Sequence, residues 1–120
     1  MELSVLDFQQ ARIKQVLFKS RLRSVLYGVR EADEAMFSRQ ENALGQWLDT
    51  VVKPHHGHHP EVREIDRTLQ QMLSTGRDLA AQYQRGLIEE ARQGLDQINL
   101  QADRLTTLFD QLSHRVAISA

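Results

Sequence analysis

Apolar residues recur along this chain at steps of three and four positions, the spacing of one face of an α-helix. Four such stretches are separated by glycine, proline or charged residues. The pattern predicts helices over Ser4–Gly28, Ser38–Val52, Pro60–Gly86 and Ile88–Val116, the last being either one helix or two joined near Gly94. No run of four or more alternating apolar and polar positions indicates a strand.

One face of each predicted helix is apolar, and these faces predict the core. On the first helix the face contains one polar member, Gln15, among apolar residues: Phe8, Ala11, Phe18, Leu22 and Val25. Four amphipathic helices must bury such faces against one another. The sequence therefore predicts an all-α fold, an antiparallel four-helix bundle, as a single domain over residues 1–120.

Composition removes several classes of function. The 120-residue chain has no cysteine, which excludes disulfides, thiolate zinc sites and cysteine nucleophiles. Its 15 basic and 16 acidic residues give a net charge of -1, so no excess of basic charge indicates nucleic acid or a membrane surface as partner. No apolar run is long enough to span a membrane, and the first residues lack a secretory pattern, so we expect a cytoplasmic protein. No phosphate-binding, nucleophile or metallohydrolase motif is present, and we expect no enzymatic activity.

Histidine is concentrated in one short segment. Four of the five histidines lie between Pro54 and Pro60: His55, His56, His58 and His59. Because proline interrupts helices, this segment is predicted to be a loop between the second and third helices. Imidazole binds zinc, copper and nickel, but near-adjacent loop residues rarely converge on one ion. We favour a solvated loop, with adventitious surface metal binding and a dedicated metal site as the alternatives.

Three segments carry motifs with a recognisable spacing. In the first, Gln15 lies three residues before Phe18, which Lys19 follows. The second reads Asn42-Ala-Leu44-Gly45-Gln-Trp47, and the third, Gly57–Ile65, leads to a pair of positions, 69 and 73. Together, over about residues 11 to 81, they resemble the chemoreceptor zinc-binding domain family of bacteria.

Members of that family bind zinc through three histidines and one cysteine. The resemblance implies four corresponding positions in this chain: Gln15, Asn42, Leu69 and Leu73. Leucine has no donor atom, and a neutral amide oxygen is a poor zinc ligand, so we expect no zinc at these positions and no thiol-based sensing. We predict that the two leucines fill the space and that the two amides hydrogen-bond to each other.

The remaining motif residues are expected to have structural roles. They are Phe18, Lys19, Leu44, Gly45 and Trp47. Glycine at position 45 would permit the close approach of a helix, which a side chain would prevent. Trp47 is then expected to pack over the gap as a core residue.

The resemblance implies a non-catalytic regulatory or protein-interaction module of bacterial signal transduction, of the chemotaxis or cyclic-dinucleotide type, without the zinc input. Its partner would be an attached signalling domain or another protein, and we expect a homodimer. Two alternatives stay open. One is a metal-responsive sensor module that uses the segment His55–His59. The other is a generic structural helical bundle.

Six leucines lie off the main apolar faces of the first and last predicted helices. They are Leu6, Leu17, Leu26, Leu87, Leu100 and Leu108. Helices in bundles often have wide apolar faces, so these leucines either widen the core or form a second apolar strip at an interface.

Overall fold

The first helix begins directly after Ser4, as predicted, and ends two residues before the predicted Gly28. A computed structural model describes residues 3–119, and in that range all regular structure is helical; residues 1, 2 and 120 of the predicted domain lie outside it. Helix α1 spans Val5–Leu26. Ser4 Oγ accepts a hydrogen bond from the Asp7 amide at 3.2 Å, and the Asp7 carboxylate accepts one from the Ser4 amide at 2.9 Å. This reciprocal cap satisfies amide groups that the first helical turn leaves unpaired.

The second helical segment differs from the prediction at both ends. It begins at α2, Ala43–Trp47, rather than at Ser38, and only a short 3-10 turn, Glu34–Phe37, precedes it. It then continues through a π-helical turn, Leu48–Val52, into α3, Lys53–His56. The predicted loop over positions 55–59 is therefore shortened to a turn over 57–59.

A wide turn explains how the helix passes Pro54. The Lys53 amide donates to the Leu48 carbonyl, five residues back, instead of to the residue four back. Proline has no amide hydrogen, and its ring collides with the carbonyl four residues earlier in a regular α-helix. A π-turn directly before Pro54 loosens that geometry.

The last two predicted helices are also present, and the choice left open at Gly94 is resolved. Helix α4 spans Pro60–Gln84, and Gly86, with φ of +85°, turns the chain. Helices α5, Ile88–Gln93, and α6, Leu95–Ser119, are separate. A Cβ atom at position 94 would overlap the side chain of Leu79, so glycine lets α4 approach the junction closely.

Contacts between helix ends establish the directions of the bundle. Arg12, in the first half of α1, pairs with Asp110 in the second half of α6, so these helices are antiparallel. Arg115 near the end of α6 pairs with Glu61 at the start of α4, so this pair is antiparallel too. With the segment α2–α3 as the fourth member, the protein is an antiparallel four-helix bundle, as predicted. Within residues 3–119, no helix is both long and apolar enough to cross a membrane.

The predicted apolar faces form the core. Every member of the predicted α1 face is buried, Gln15 included. Ile88, at the start of the last predicted face, is instead 38% exposed, because α5 is a short helix at the end of the bundle. Trp47 is buried between two rings, with centroid distances of 6.0 Å to Phe8 and 6.1 Å to Phe109, both edge-on. The predicted core role of Trp47 is confirmed.

Candidate functional site: the implied zinc positions, the histidine segment and the outer face of α1

Three of the four positions implied as zinc ligands lie in the core. Leu69 and Leu73 are buried one turn apart on α4, and Gln15 is buried on α1. Asn42 is half-buried immediately before α2. The two leucines offer no donor atoms, so the only metal-binding atoms among the four residues are amide oxygens.

The predicted hydrogen bond between Gln15 and Asn42 is wrong. Gln15 Nε2 donates to the Ala102 carbonyl on α6 at 2.9 Å. Asn42 Oδ1 accepts from the Leu44 and Gly45 amides at 2.9 and 3.0 Å and so caps α2. The first-turn amides of a helix have no partners within the helix, and asparagine satisfies them well. Because the Asn42 oxygen caps α2 in this way, it does not bond to Gln15. Gln15 Oε1 is buried without a hydrogen-bond partner.

Gly45 does permit a close approach, but of a loop rather than of a neighbouring helix. A Cβ atom at this position would overlap both the guanidinium and the main-chain oxygen of Arg39. The predicted packing against a helix is therefore corrected. The segment before α2 folds back over its first turn, and Arg39 crosses the glycine.

Arg39 and Lys53 hold one carboxylate of α4 between them. Arg39 Nε and Lys53 Nζ each lie 2.7 Å from Asp66, and both cations also pair with Asp49. Burial raises the pKa of Asp66, but hydrogen bonds from Arg39, Lys53 and Gln70 outweigh it, and the pKa lies well below its ordinary value. A carboxylate held ionised in this way fixes α3 and the segment before α2 to α4, and it has no proton to donate near neutral pH.

The remaining motif residues on α1 have distinct surroundings. Phe18 is buried, with its ring edge-on to Phe37 at a centroid distance of 6.5 Å. Gly76 of α4 faces both rings, and a Cβ atom there would lie 3.1 Å from the Phe18 ring. Lys19 is half-buried beside a groove between α1 and α6.

The histidines of the segment 55–59 lie at the turn between α3 and α4. The His56 and His59 rings stack at 5.8 Å, and the His58 and His59 rings lie 4.1 Å apart, centroid to centroid. His55 and His58 are exposed, whereas His56 and His59 are half-buried. In the described range, 3–119, no group of three or more histidine or acidic side chains is arranged to hold a metal ion.

Two of these histidines are disfavoured in their charged form. Burial, followed by the charges of His59, His55 and His58, lowers the pKa of His56 below its ordinary value of 6.5. Burial, followed by the charges of His58 and Arg115, likewise lowers the pKa of His59, and Glu61 opposes this in part. Between pH 6.5 and the lower folded-state pKa values, the unfolded chain therefore binds more protons than the folded protein.

We expect the free energy of unfolding to fall as the pH is lowered through about 6.5, because protonation favours the unfolded chain in that range. Urea unfolding between about pH 7.5 and 5.5 measures this, since the carboxylates with lowered pKa values titrate at lower pH. The double variant His56→Gln/His59→Gln should lose most of the dependence. His114→Gln, outside the segment, controls for the loss of a histidine as such. An unchanged pH dependence in the double variant would contradict the assignment.

The outer face of α1 is apolar as well, and the structure decides between the two roles open to the six leucines. Leu26 and Leu108 are core residues. The other four are 42–65% exposed: Leu6, Leu17, Leu87 and Leu100. Sequence reasoning missed Ile13 and Val16, which are 52% and 58% exposed. Their spacing from Leu6 and Leu17, at steps of three, four and seven, was the signal that they share one face.

Comparisons of the chain with family models, curated proteins and solved structures give no match. The resemblance to the chemoreceptor zinc-binding domain family, and what it implies, therefore stays a prediction.

Proposed function

We propose that this protein is a non-catalytic protein-interaction module of bacterial signal transduction, of the chemotaxis or cyclic-dinucleotide type, that works without zinc. The observation that carries the proposal is the exposed apolar face of α1. Leu6, Ile13, Val16 and Leu17 are each about half exposed or more, on the side of the helix opposite the core. Exposed apolar strips of this kind mark protein interaction sites.

Two features support a role in binding rather than in catalysis. At the implied zinc positions, two leucines and a capping asparagine leave no ligand set. The most strongly perturbed carboxylate, Asp66, is neutralised by two cations and serves to hold helices together. The homodimer expected from the resemblance belongs to this proposal, as does a location in the cytoplasm.

Zinc titration of untagged, chelator-treated protein is the first test. We expect no tight binding at one equivalent and no rise in melting temperature, because a folded protein is stabilised by a ligand that it binds. Titration calorimetry and metal analysis measure both. Stoichiometric zinc that raises the melting temperature would overturn the proposal. If His55→Ala/His56→Ala/His58→Ala/His59→Ala abolished that binding, the protein would be a metal-responsive sensor.

The binding role has its own test. A photoreactive residue at position 13 or 16 should give specific protein adducts in the host cell, and one at position 29 should not. Val29 is the matched control because it is 78% exposed and lies outside α1. Equal labelling at all three positions would indicate a structural bundle with no docking face.

A further inference from the structure

The apolar outer face of α1 continues onto α6. A groove of about 320 Å³ between the two helices is lined on one side by Val16, Lys19 and Arg23, and on the other by residues that include Ile98 and Asn99. Leu100 of α6, 65% exposed, lies next to Asn99. We call this combined surface, from Leu6 to Arg23 on α1 and from Asp96 to Asp110 on α6, the α1–α6 face.

The two halves of the α1–α6 face carry opposite charge. Three basic residues of α1 lie toward α6: Arg12 pairs with Asp110, and Lys19 and Arg23 line the groove. Lys14 and Arg21 line a different pocket, on the other flank of α1. On α6 three aspartates recur at steps of seven and form one stripe: Asp96, Asp103 and Asp110. Asp110 pairs with Arg12, which places this stripe along the edge of α6 nearest to α1.

Four of these charges have no partner of opposite sign. In residues 3–119, Lys19 and Arg23 of α1 and Asp96 and Asp103 of α6 take part in no ion pair. A positive stripe and a negative stripe thus lie side by side with exposed apolar residues between and beside them. Such a surface is complementary to itself when it is rotated by half a turn about an axis parallel to the helices.

We infer that the α1–α6 face binds a second copy of this chain, with α1 of each copy against α6 of the other. This rests on the proposed function and names the partner and the surface. A two-fold axis along the bundle keeps every residue at its own height. Because Gln15 of α1 lies level with Ala102 of the antiparallel α6, Leu100 of the second copy lies level with Leu17, and its Asp96 lies between the levels of Lys19 and Arg23.

Other occupants fit the charges less well. A symmetric contact between two α1 helices would bring Arg12, Lys19 and Arg23 of one copy near the same cations of the other, and like charges across an interface are costly. An acidic helix from another protein, or an anionic membrane, would meet the aspartate stripe of α6. Only the rotated copy matches both stripes at once.

The area of the α1–α6 face suits a stable dimer. The 18 residues from Leu6 to Arg23 extend about 27 Å, and two helices side by side are about 20 Å wide. The face therefore covers about 540 Å² on each copy, or about 1,100 Å² for the pair, above the roughly 1,000 Å² that a specific interface needs. The apolar residues would supply the affinity, and the charges would select the partner and fix its orientation.

Charge reversal in two complementary variants tests the geometry. K19E/R23E makes both halves of the face acidic at these positions, and D96K/D103K makes both halves basic. By sedimentation equilibrium, we expect the unmodified chain to dimerise and each variant alone to dimerise at least tenfold more weakly. An equimolar mixture of the two variants should form a heterodimer, and a chain with all four substitutions should dimerise again.

Control variants separate the surface from general effects. R63E/R85E changes the net charge as much as K19E/R23E but at exposed positions outside the α1–α6 face, and dimerisation should be unchanged. I13Q/V16Q should weaken the dimer at least tenfold, whereas V29Q, at an exposed position outside the face, should not. Circular dichroism and melting temperature confirm that each variant is folded.

Each outcome decides the inference. A chain that is monomeric at every concentration overturns it, as does a dimer that K19E/R23E does not weaken. A dimer that K19E/R23E alters and D96K/D103K leaves unchanged would indicate a contact between two α1 helices. Binding of vesicles with anionic lipid by the unmodified chain, lost in K19E/R23E, would indicate a membrane instead. None of these results touches the proposed absence of zinc, whose failure is seen only in the zinc titration.

Discussion

Replacing Leu69 by alanine should lower the free energy of unfolding by about 3–4 kcal/mol. Leu69 is fully buried on α4, and truncating a leucine in a packed core loses the transfer free energy of its side chain and leaves a cavity. Because domains of this size are stable by only about 5–15 kcal/mol, the change removes much of the total. Urea denaturation followed by far-UV circular dichroism measures it.

Leu87→Ala is the matched control, because Leu87 is 42% exposed and lies at the start of α5. Its truncation should cost less than about 1 kcal/mol, as surface changes usually do. A loss below about 1 kcal/mol for Leu69→Ala would show that the space around the implied zinc positions is not closely packed. The two leucines would then not be what fills it.

Replacing Gly45 by alanine should destabilise the protein by about 2–3 kcal/mol, although alanine favours helices more than glycine does. The new Cβ atom would overlap the Arg39 side chain, which can move, and its main-chain oxygen, which moves only with the loop. Overpacking of this kind typically costs about 1–3 kcal/mol. Displacing Arg39 would also weaken its pairs with Asp66 and Asp49. The same urea titration measures the loss.

Two further variants identify the cause. Gly86→Ala has open space around the new Cβ atom but a left-handed backbone, so it should cost only about 1–2 kcal/mol through conformation. Arg39→Ala/Gly45→Ala removes the overlap with the guanidinium and leaves the one with the main-chain oxygen. If the double variant were as stable as Arg39→Ala alone, the main-chain contact would be shown to be unimportant.

Much of the helical architecture could be predicted from the sequence, because period and capping are local. The buried face of α1 follows from the spacing of Phe8, Phe18 and Leu22, and its start follows from Ser4 with Asp7 three residues later. Gly86 marks the end of α4 through its positive φ. The predicted start of the second helix at Ser38 was wrong. Asn42 caps the first turn with its side chain, so α2 begins after it.

The candidate site was less predictable, because it depends on which partner each side chain finds. The Gln15 amide reaches Ala102, 87 positions later in the chain, and no local pattern indicates that contact. The role of Gly45 likewise depends on the path of Arg39 across it. The exposure of Ile13 and Val16 could not be predicted either, because a second exposed apolar strip and a wide core face have the same sequence pattern.

By itself, the sequence determined that this protein is all-helical, that four amphipathic segments form its bundle, and which face of α1 lies inside. These follow from spacing and from the chemistry of helix ends, which act over a few residues. Only the tertiary structure decided that the helix continues past Pro54, that α5 and α6 separate where Leu79 meets Gly94, and that Leu26 is buried while Leu6 is exposed. The physical reason is that several faces of a helix can each pack against another helix, and the packing of the whole chain determines which faces are buried.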